Sequence, residues 1–590
     1  MVLQEHGDAE MQESHDNQNL QPDDIVISGM SGTYAGCHNV NELFEKLYAK
    51  QLARLNTPAV APRSMSIAAS GVRPDLVSRD SKIGSLFVCS KTDYLYPAPG
   101  SASAHTIVDL TVNDEQRWSY HHSEAPKNVG TAKDLDSFDA QFFKVNRKMS
   151  TVMDAMSRKL MEHTYQAIYD AGVSLSELSG KKVGVFIGIG MSDSEKVLFY
   201  VMDRANSLAI AGCSRSMFAN RISYWLDAKG PSITIDASCS SSMVALEKAY
   251  NCIKRGICDA AIVGSSNFCF HPHVSVHYHR LGLLSDDGKT RSFDKNGTGT
   301  VRADAVNCLL LQPAKNAKRA YAKVIHVKSQ YSVEKDFIRK ESKFGPERPR
   351  KTLVDFWTEF YREANVTPQD VEYVEGYGSA ISEADLKELD AIGEVFCKGT
   401  KRSLPVGSVM SNVGYTEAAS GVSAVTKVLL AYHSGQIAAN LHYETPHDHV
   451  QAIREGQIEI VTENKTFPQT YAAVNNHSLS GLNCHALLHG FNKKKESSVK
   501  KIIDSLKSRA VDAEEIGLLH NIHSADIQGH LARGYIVLAF APGQKNIVVS
   551  FQARRSHLAA DSVSRPPGYV AVTRLVALGK FTFTQFHCST

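Results

Sequence analysis

The chain has 590 residues, of which 43% are hydrophobic, so it can bury a substantial core divided among several domains. Its 65 basic and 62 acidic residues nearly cancel, which argues against nucleic acid as a partner. The 11 cysteines form no CxxC pair, the start of the chain lacks a signal peptide pattern, and no apolar stretch approaches the ~18 residues that span a bilayer. We therefore expect a cytoplasmic protein without membrane contact.

The predicted elements begin after a polar leader. Residues 1–22 carry hardly any apolar pattern and are expected to be disordered. A strand at Ile25–Ile27 then runs into a predicted turn at Gly29 and Gly32, and apolar residues at helical spacing predict a helix over 40–48. Residues 51–106 are rich in Ala, Ser, Pro and Arg, which indicates a weakly ordered insertion.

The middle of the chain alternates apolar strands with helices, as in α/β proteins. Strands are predicted at 182–188, 233–235, 260–264, 306–311, 371–375, 404–407 and 471–475, and helices at 154–171, from about 243, and at 422–432. Gly188 and Gly190 do not belong to a dinucleotide-binding GxGxxG motif, because the third glycine is replaced by Asp193. We expect no cofactor.

The end of the chain differs in composition. After residue 490, apolar spacing predicts helices at 499–510 and 514–523, consistent with a small linker region over 491–540. Beyond Pro542, six basic residues accompany one acidic residue, Asp561. We predict that 541–590 is a poorly ordered tail rather than a polyanion-binding segment.

The most informative residue is Cys239. It follows the short strand at Ile233 and Ile235 and precedes a helical pattern, so it lies at a strand-to-helix turn. Unpaired N–H groups and the positive end of a helix dipole favour a thiolate at such a position. Free cysteines are more often buried core residues, but three serines follow this one. We therefore predict a nucleophile that attacks at neutral pH.

The residues around Cys239 belong to a wider set of motifs. The set comprises 27–31 (ISGMS), 138–143 (FDAQFF), Met153-Asp154 with Arg158 and Glu162, 219–221 (ANR), Gly230-Pro231, the run leading to Cys239, 280–285 (RLGLLS) and Phe293-Asp294. Over roughly residues 22–490 these motifs resemble the β-ketoacyl synthase (ketosynthase) domain of animal-type fatty acid synthases and polyketide synthases. The run at Cys239 is the most specific of them.

This resemblance implies a thiolase-like, five-layered α/β fold of two similar halves over 23–490, usually a homodimer. It also implies that Cys239 accepts an acyl group as a thioester, and that two histidines then promote decarboxylation of a malonyl thioester whose carbanion lengthens the acyl chain by two carbons. The implied partners are acyl carrier protein or acyl-CoA and a malonyl thioester. Because Arg533-Gly-Tyr535 resembles the end of a linker, 491–540 would precede an acyltransferase that this chain lacks.

Both family histidines are replaced in this sequence. The first belongs to a Glu-Ala-His-Gly motif, which reads Glu375-Gly-Tyr377-Gly here. Asp385 and Glu388 follow it at the family spacing. The second belongs to Lys-Ser-Asn-Ile-Gly-His, which reads 410–415 (MSNVGY) and ends in Tyr415, with Met410 in place of the lysine. A tyrosine hydroxyl can donate one hydrogen bond, but its pKa of about 10 makes it a poor substitute for imidazole.

The glycine-rich oxyanion loop is altered too. Where the family has Gly-Phe-Gly-Gly, this chain has Ser478, Leu479, Ser480 and Gly481, followed by Asn483 and His485, which match the family. By this resemblance Leu479, Ser480 and Gly481 form the oxyanion loop. Ser478 and Ser480 carry side chains where the family requires close backbone approach and unusual torsions, so we expect a disturbed loop.

These changes leave two functions open. The first is a fatty acid synthase-like β-ketoacyl-ACP synthase that transfers acyl groups to Cys239 but condenses weakly. The second is a non-catalytic protein that binds acyl groups, dimerises or acts as a scaffold. Acylation of Cys239 without release of carbon dioxide from malonyl thioesters would favour the second.

A metal site is a third possibility. His271, His273, His277 and His279 crowd one short run, and His273 and His277 are spaced to share a helix face. No nearby cysteine or acidic pair completes a ligand set, so we predict surface histidines and no metal.

Overall fold

The computed structural model describes residues 20–48, 112–113, 124–200, 207–331, 346–468, 470–491, 532–540 and 547–555. These residues divide into two units, 20–491 and the segment 532–555. The predicted insertion at 51–106, the helices at 499–510 and 514–523, and the leader up to residue 19 lie outside the described residues. Residues 20–22, the last three of the predicted leader, are described. The carbonyl of Pro22 accepts a hydrogen bond from the Lys315 amide, 2.9 Å away.

The first unit contains fifteen strands among the described residues. Those before residue 320 are β1 (Ile25–Tyr34), β2 (Val112–Asn113), β3 (Asn128–Val129), β4 (Val183–Ile189), β5 (Ser232–Ile235), β6 (Ala260–Asn267) and β7 (Ala305–Pro313). Those after it are β8 (Ala322–Tyr331), β9 (Val371–Glu375), β10 (Leu404–Gly407), β11 (Gln436–Ile437), β12 (Ile458–Ile460), β13 (Lys465–Thr466), β14 (Tyr471–His477) and β15 (Leu482–Gly490).

The helices alternate with these strands. Those before residue 320 are α1 (Val40–Leu47), α2 (Arg147–Ser150), α3 (Ala155–Asp170), α4 (Leu175–Leu178), α5 (Asp193–Tyr200), α6 (Ala209–Cys213), α7 (Ser216–Leu226), α8 (Ser241–Lys254) and α9 (Pro272–Arg280). Those after it are α10 (Arg350–Ala364), α11 (Ser382–Ile392), α12 (Met410–Val413), α13 (Ser420–Ser434) and α14 (Gln451–Arg454).

The strands show that the unit is built from two similar halves. An 11-stranded sheet runs in the order β12-β10-β9-β14-β15-β8-β1-β7-β6-β4-β5. In the first half β1, β7 and β6 are antiparallel neighbours, and β6, β4 and β5 are parallel. In the second half β8, β15 and β14 are antiparallel, and β14, β9 and β10 are parallel. The same order and directions therefore occur twice, and the halves join where β1 pairs with β8.

Three hydrophobic clusters fill the spaces between five layers. One surrounds α8 and α13, which contact each other between the two halves of the sheet. A second packs α3 and α7 on the outer face of the first half, and a third packs α10 and α11 on the outer face of the second. Helix α13 is buried from Ser420 to Tyr432, and most of the residues in this stretch are apolar. The predicted five-layered α/β architecture of two similar halves is confirmed.

Most predicted elements are confirmed within a few residues, and 371–375 and 404–407 are reproduced without change. The predicted turn at Gly29 and Gly32 is wrong, because β1 continues through both glycines to Tyr34. A Cβ atom on Gly29 would lie 2.1 Å from the Ala167 carbonyl oxygen, so this glycine lets α3 approach the strand.

The second unit consists, in the part described, of an antiparallel hairpin. Its strands are β16 (Ala532–Phe540) and β17 (Ile547–Arg555), which pair from Ala532↔Arg555 to Phe540↔Ile547. The hairpin extends across residue 540, where we placed the end of a linker and the start of a poorly ordered tail. The division of the chain at residue 540 stays a prediction.

Gly188 provides a test of the packing under Cys239. A Cβ atom at this position in β4 would lie 2.6 Å from backbone atoms of Ser241 and Ser242, at the start of α8. We expect Gly188→Ala to push the helix start outward and to cost ~1–3 kcal/mol in free energy of unfolding, measured by urea denaturation. Gly190→Ala is the control, because its nearest neighbour, Ala418 Cβ, is 3.6 Å away; equal stabilities for the two variants would contradict this prediction.

Candidate active site

Cys239 lies where the sequence places it, between β5 and α8. Ser238, just before it, adopts φ = 56°, and Ser240 is the N-cap of α8. The Ser241 hydroxyl donates to the Ser238 carbonyl oxygen at 2.6 Å and accepts from the Ala237 amide at 2.8 Å. These bonds hold the turn that presents the sulfur, so the predicted strand-to-helix position is confirmed.

The sulfur is almost fully buried, which corrects the expectation of a ready thiolate. Cys239 is 1% exposed, and its burial raises the pKa of the thiol above the ordinary value. Hydrogen bonds from the hydroxyls of Ser238 and Tyr415 and from the Leu479 amide act in the opposite direction. The serines that suggested a polar, open site are themselves buried: the Ser241 hydroxyl bonds to backbone carbonyls at the turn, and the Ser242 hydroxyl accepts from the Val422 amide at 3.3 Å.

An apolar cluster encloses the sulfur. The members of this Cys239 cluster are Cys239, Val274, Tyr278, Leu283, Leu284, Tyr377, Met410, Tyr415 and Leu479. It unites the predicted nucleophile with both predicted tyrosines, with Met410 and with Leu479 of the predicted oxyanion loop. These residues come from both halves of the chain, so the site is formed where the halves meet.

Tyr415 is the closest partner of Cys239. Its hydroxyl donates a hydrogen bond to Cys239 Sγ. Its backbone is fixed by the Tyr415 amide, which donates to the Val301 carbonyl at 2.7 Å, and by its carbonyl, which accepts from the Ala303 amide at 2.9 Å. Gly414 before it has φ = 80°, which a glycine adopts without strain.

Tyr377 lies in the same cluster as Tyr415. Both rings belong to the Cys239 cluster, and burial raises the pKa of both phenols well above the usual value, so both are neutral. Glu388 holds the backbone, since its carboxylate accepts from the amides of Tyr377 at 2.8 Å and Gly378 at 3.0 Å. The tyrosines can therefore donate hydrogen bonds but cannot serve as bases near neutral pH.

The predicted oxyanion loop forms a turn, and its role stays a prediction. It is the four-residue connection between β14 and β15, closed by the Ser478 amide donating to the Leu482 carbonyl at 2.9 Å. Only Gly481 has a positive φ, of 94°, so the two serines carry no torsional strain. The Ser478 hydroxyl lies 2.6 Å from that of Ser480 and accepts from the Ser480 amide at 3.2 Å. Leu479 reaches Cys239, whereas Ser480 is exposed.

Three further groups at the site were missed from the sequence. Tyr278 belongs to the histidine-rich run, but its ring lies 6.2 Å from that of Tyr415 and its hydroxyl donates to Glu417 at 3.3 Å. The His477 ring lies 5.4 Å from that of Tyr377. Arg348 hydrogen-bonds the Ser478 carbonyl. Arg348 and His477 follow no periodic or motif pattern, so only tertiary structure identifies them.

The histidine-rich run forms α9 and its N-cap. His271 caps the helix by accepting from the His273 amide at 3.2 Å, and His273 and His277 are exposed. Across the described ranges, no three or more His, Cys, Asp or Glu side chains are grouped so that they could hold a metal ion. In the same part of the chain, no helix has the length and hydropathy needed to cross a bilayer.

Family models match three consecutive parts of the chain. They are described as the β-ketoacyl synthase N-terminal domain (residues 103–317), the β-ketoacyl synthase C-terminal domain (331–444) and the ketoacyl-synthetase C-terminal extension (446–498). The boundary between the first two matches falls at β8, where the second structural half begins.

Comparisons with known proteins also indicate a ketosynthase. Fatty acid synthase of Anser anser anser is 38% identical over 328 residues, which cover 56% of this chain and 92% of that sequence. A highly reducing polyketide synthase of Didymella fabae is 31% identical over 361 residues, but this chain spans only 19% of its length. The ketosynthase from module 6 of the bacillaene synthase of Bacillus subtilis 168 has a TM-score of 0.64 at 24% identity, covering 87% of this chain and 82% of that one, and confirms the thiolase-like fold. The chain belongs to the β-ketoacyl synthase family.

Proposed function

We propose that the chain captures acyl groups as a thioester on Cys239 and that its decarboxylative condensation is impaired. Ketosynthase domains act on acyl and malonyl thioesters bound to acyl carrier protein. The proposed donors are therefore acyl carrier protein or acyl-CoA, with a malonyl thioester as the second substrate. The observation that carries the proposal is the hydrogen bond from Tyr415 to Cys239 Sγ, with Tyr377 next to it.

Acyl capture is a thioester exchange. The Cys239 thiolate attacks the carbonyl carbon of the donor, the tetrahedral intermediate collapses, and the donor's sulfur leaves and receives the proton that Cys239 lost. The Leu479 amide and the Tyr415 hydroxyl lie at the sulfur and can stabilise negative charge there or on the carbonyl oxygen. None of these steps requires imidazole.

Condensation requires more hydrogen-bond donors at the site than acyl capture does. Loss of carbon dioxide from a malonyl thioester places charge on the thioester oxygen, which positioned donors must stabilise. We place Tyr377 and Tyr415 at the positions of the two family histidines, and Met410 at that of a lysine. Losing one positioned donor costs on the order of 10²–10³ in rate, so we expect slow condensation here.

The direct test separates the two half-reactions. The full chain is incubated with acyl-CoA and with an acyl carrier protein thioester, and intact mass is measured. We expect a stoichiometric acyl adduct in the wild type and in Cys252→Ala, which removes a more accessible cysteine, and no adduct in Cys239→Ala. The rate should rise with pH, because burial raises the pKa of the Cys239 thiol. An unmodified wild type would leave only a binding or scaffold role.

The edge of the sheet supports the proposal that the chain forms a homodimer. β5 is the last strand of the 11-stranded sheet, and Ile233 within it is 44% exposed. α7 packs beside β5, and its Tyr224 is 85% exposed. An uncovered strand edge with exposed apolar residues pairs readily with a second copy around a twofold axis.

Ile233→Arg tests this assembly. We expect the wild type to run as a dimer in light scattering after size exclusion and the variant to run as a monomer, because the charge would be buried between the two β5 strands. Ile257→Arg is the control, since Ile257 is similarly exposed, at 46%, but lies outside the sheet edge. A monomeric wild type, or a dimeric Ile233→Arg variant, would contradict the proposed interface.

A further inference from the structure

Arg348 is an arginine buried beside the candidate active site. It lies just before α10 and is 6% exposed. Its Nε donates to Asn483 Oδ1 at 2.8 Å, one terminal nitrogen donates to the Glu347 carbonyl at 2.8 Å, and the other donates to the Ser478 carbonyl. The guanidinium therefore joins the start of α10 to the loop that reaches Cys239.

The contact with Ser478 matters because of the peptide bond to which that carbonyl belongs. The C=O of Ser478 and the N–H of Leu479 are the two ends of one peptide group. The oxygen accepts from the Arg348 guanidinium, Leu479 packs in the cluster that encloses Cys239, and its N–H acts to lower the pKa of the Cys239 thiol. Because the peptide group is conjugated, a charged donor on its oxygen makes its N–H a stronger donor, as in cooperative hydrogen-bond chains.

The groups around the sulfur offer little other stabilisation of negative charge, so the effect of Arg348 on the Leu479 N–H matters. Tyr278, Tyr377 and Tyr415 face Cys239 as neutral phenols. Glu417 disfavours negative charge on the sulfur, although its carboxylate is paired with Arg302. Arg348 favours negative charge at Cys239, and a guanidinium stays protonated even where burial lowers its pKa.

We propose that Arg348 is a positioning residue for Cys239, which fixes and polarises the Ser478–Leu479 peptide so that the Leu479 amide stabilises negative charge on the sulfur or on a bound acyl oxygen. The proposal deepens the proposed acyl capture and rests on it. It assigns to the apolar cluster around Cys239 a source of positive charge that acts through one peptide group. The ligand it serves is the anionic oxygen of an acyl thioester adduct.

The test uses a reaction that needs no acyl donor. The rate of Cys239 alkylation by iodoacetamide is measured between pH 6 and 11 in the full chain, with the Cys239 peptide quantified by mass spectrometry. We expect Arg348→Met to shift the pH profile upward by about one unit, which is roughly a tenfold slower reaction at pH 7.5. Arg348→Lys, which keeps the charge, should recover part of this shift.

Two variants keep the test decisive. Arg402→Met is the matched control, because Arg402 also donates to backbone carbonyls, those of Gln369 and Val371, away from Cys239, and it should leave the profile unchanged. If Arg348→Met does not fold, Arg348→Gln keeps a hydrogen-bond donor but removes the charge and should show the same upward shift. A folded neutral variant with the wild-type profile would overturn the proposal. Failure of the wild type to accept an acyl group would instead overturn the proposed function, whatever the alkylation profile.

Discussion

The Tyr377→His/Tyr415→His double variant is expected to release carbon dioxide from a malonyl thioester at least ~10²-fold faster than the wild-type chain. The reason is chemical: imidazole donates from a nitrogen whose pKa lies near neutrality, whereas burial raises the pKa of both phenols. Recovery should be incomplete, because Met410 would still occupy the lysine position. The measurement is release of labelled carbon dioxide, run beside acylation of Cys239.

A matched pair of substitutions controls for the introduction of histidine itself. Tyr169→His/Tyr471→His makes the same chemical change outside the Cys239 cluster and should leave decarboxylation at the wild-type level. Tyr415→His alone would also remove the hydroxyl that donates to Cys239 Sγ, so its acylation rate reports on that bond separately. If the wild type already condenses and the double reversion changes nothing, the argument for an impaired site is wrong.

The sequence predicted the fold well because hydrophobic periodicity is preserved in its central elements. β9 and β10 are short apolar runs bounded by polar residues, and their limits were predicted without error. β8 and β15 were not predicted, because lysine and histidine interrupt their apolar residues. Their identity as strands comes from pairing with each other and with β1 and β14, which a local pattern does not contain.

The site was predictable in its residue types but not in its electrostatics. The strand-to-helix pattern indicated Cys239, and the family resemblance indicated Tyr377, Tyr415 and the loop around Leu479. One apolar cluster brings these residues together. The depth of burial reversed the expected direction for the pKa of the Cys239 thiol. Burial depends on how both halves close over the sulfur, and a helix terminus alone does not determine it.

The buried ion pair between Glu375 and Lys427 gives the largest stability effect that we expect. Both side chains are fully buried, and Lys427 Nζ lies 3.2 Å from Glu375 Oε2. The carboxylate also accepts from the Tyr373 hydroxyl and the Val409 amide. The pair thus joins β9, two residues before Tyr377, to α13 between the sheets.

Lys427→Met should lower the free energy of unfolding by ~3–5 kcal/mol, because it leaves a buried carboxylate without its counter-charge. The double variant Glu375→Gln/Lys427→Met should recover most of that loss, since both charges are then removed together. Urea denaturation of the single and double variants measures the coupling energy between Glu375 and Lys427. The exposed pair Lys351–Asp355 provides the control: Lys351→Met should change the free energy of unfolding by less than ~1 kcal/mol. A loss below ~1 kcal/mol in Lys427→Met would mean that Glu375 takes up a proton when its partner is removed, so that hydrogen bonds, and not charge, hold β9 against α13.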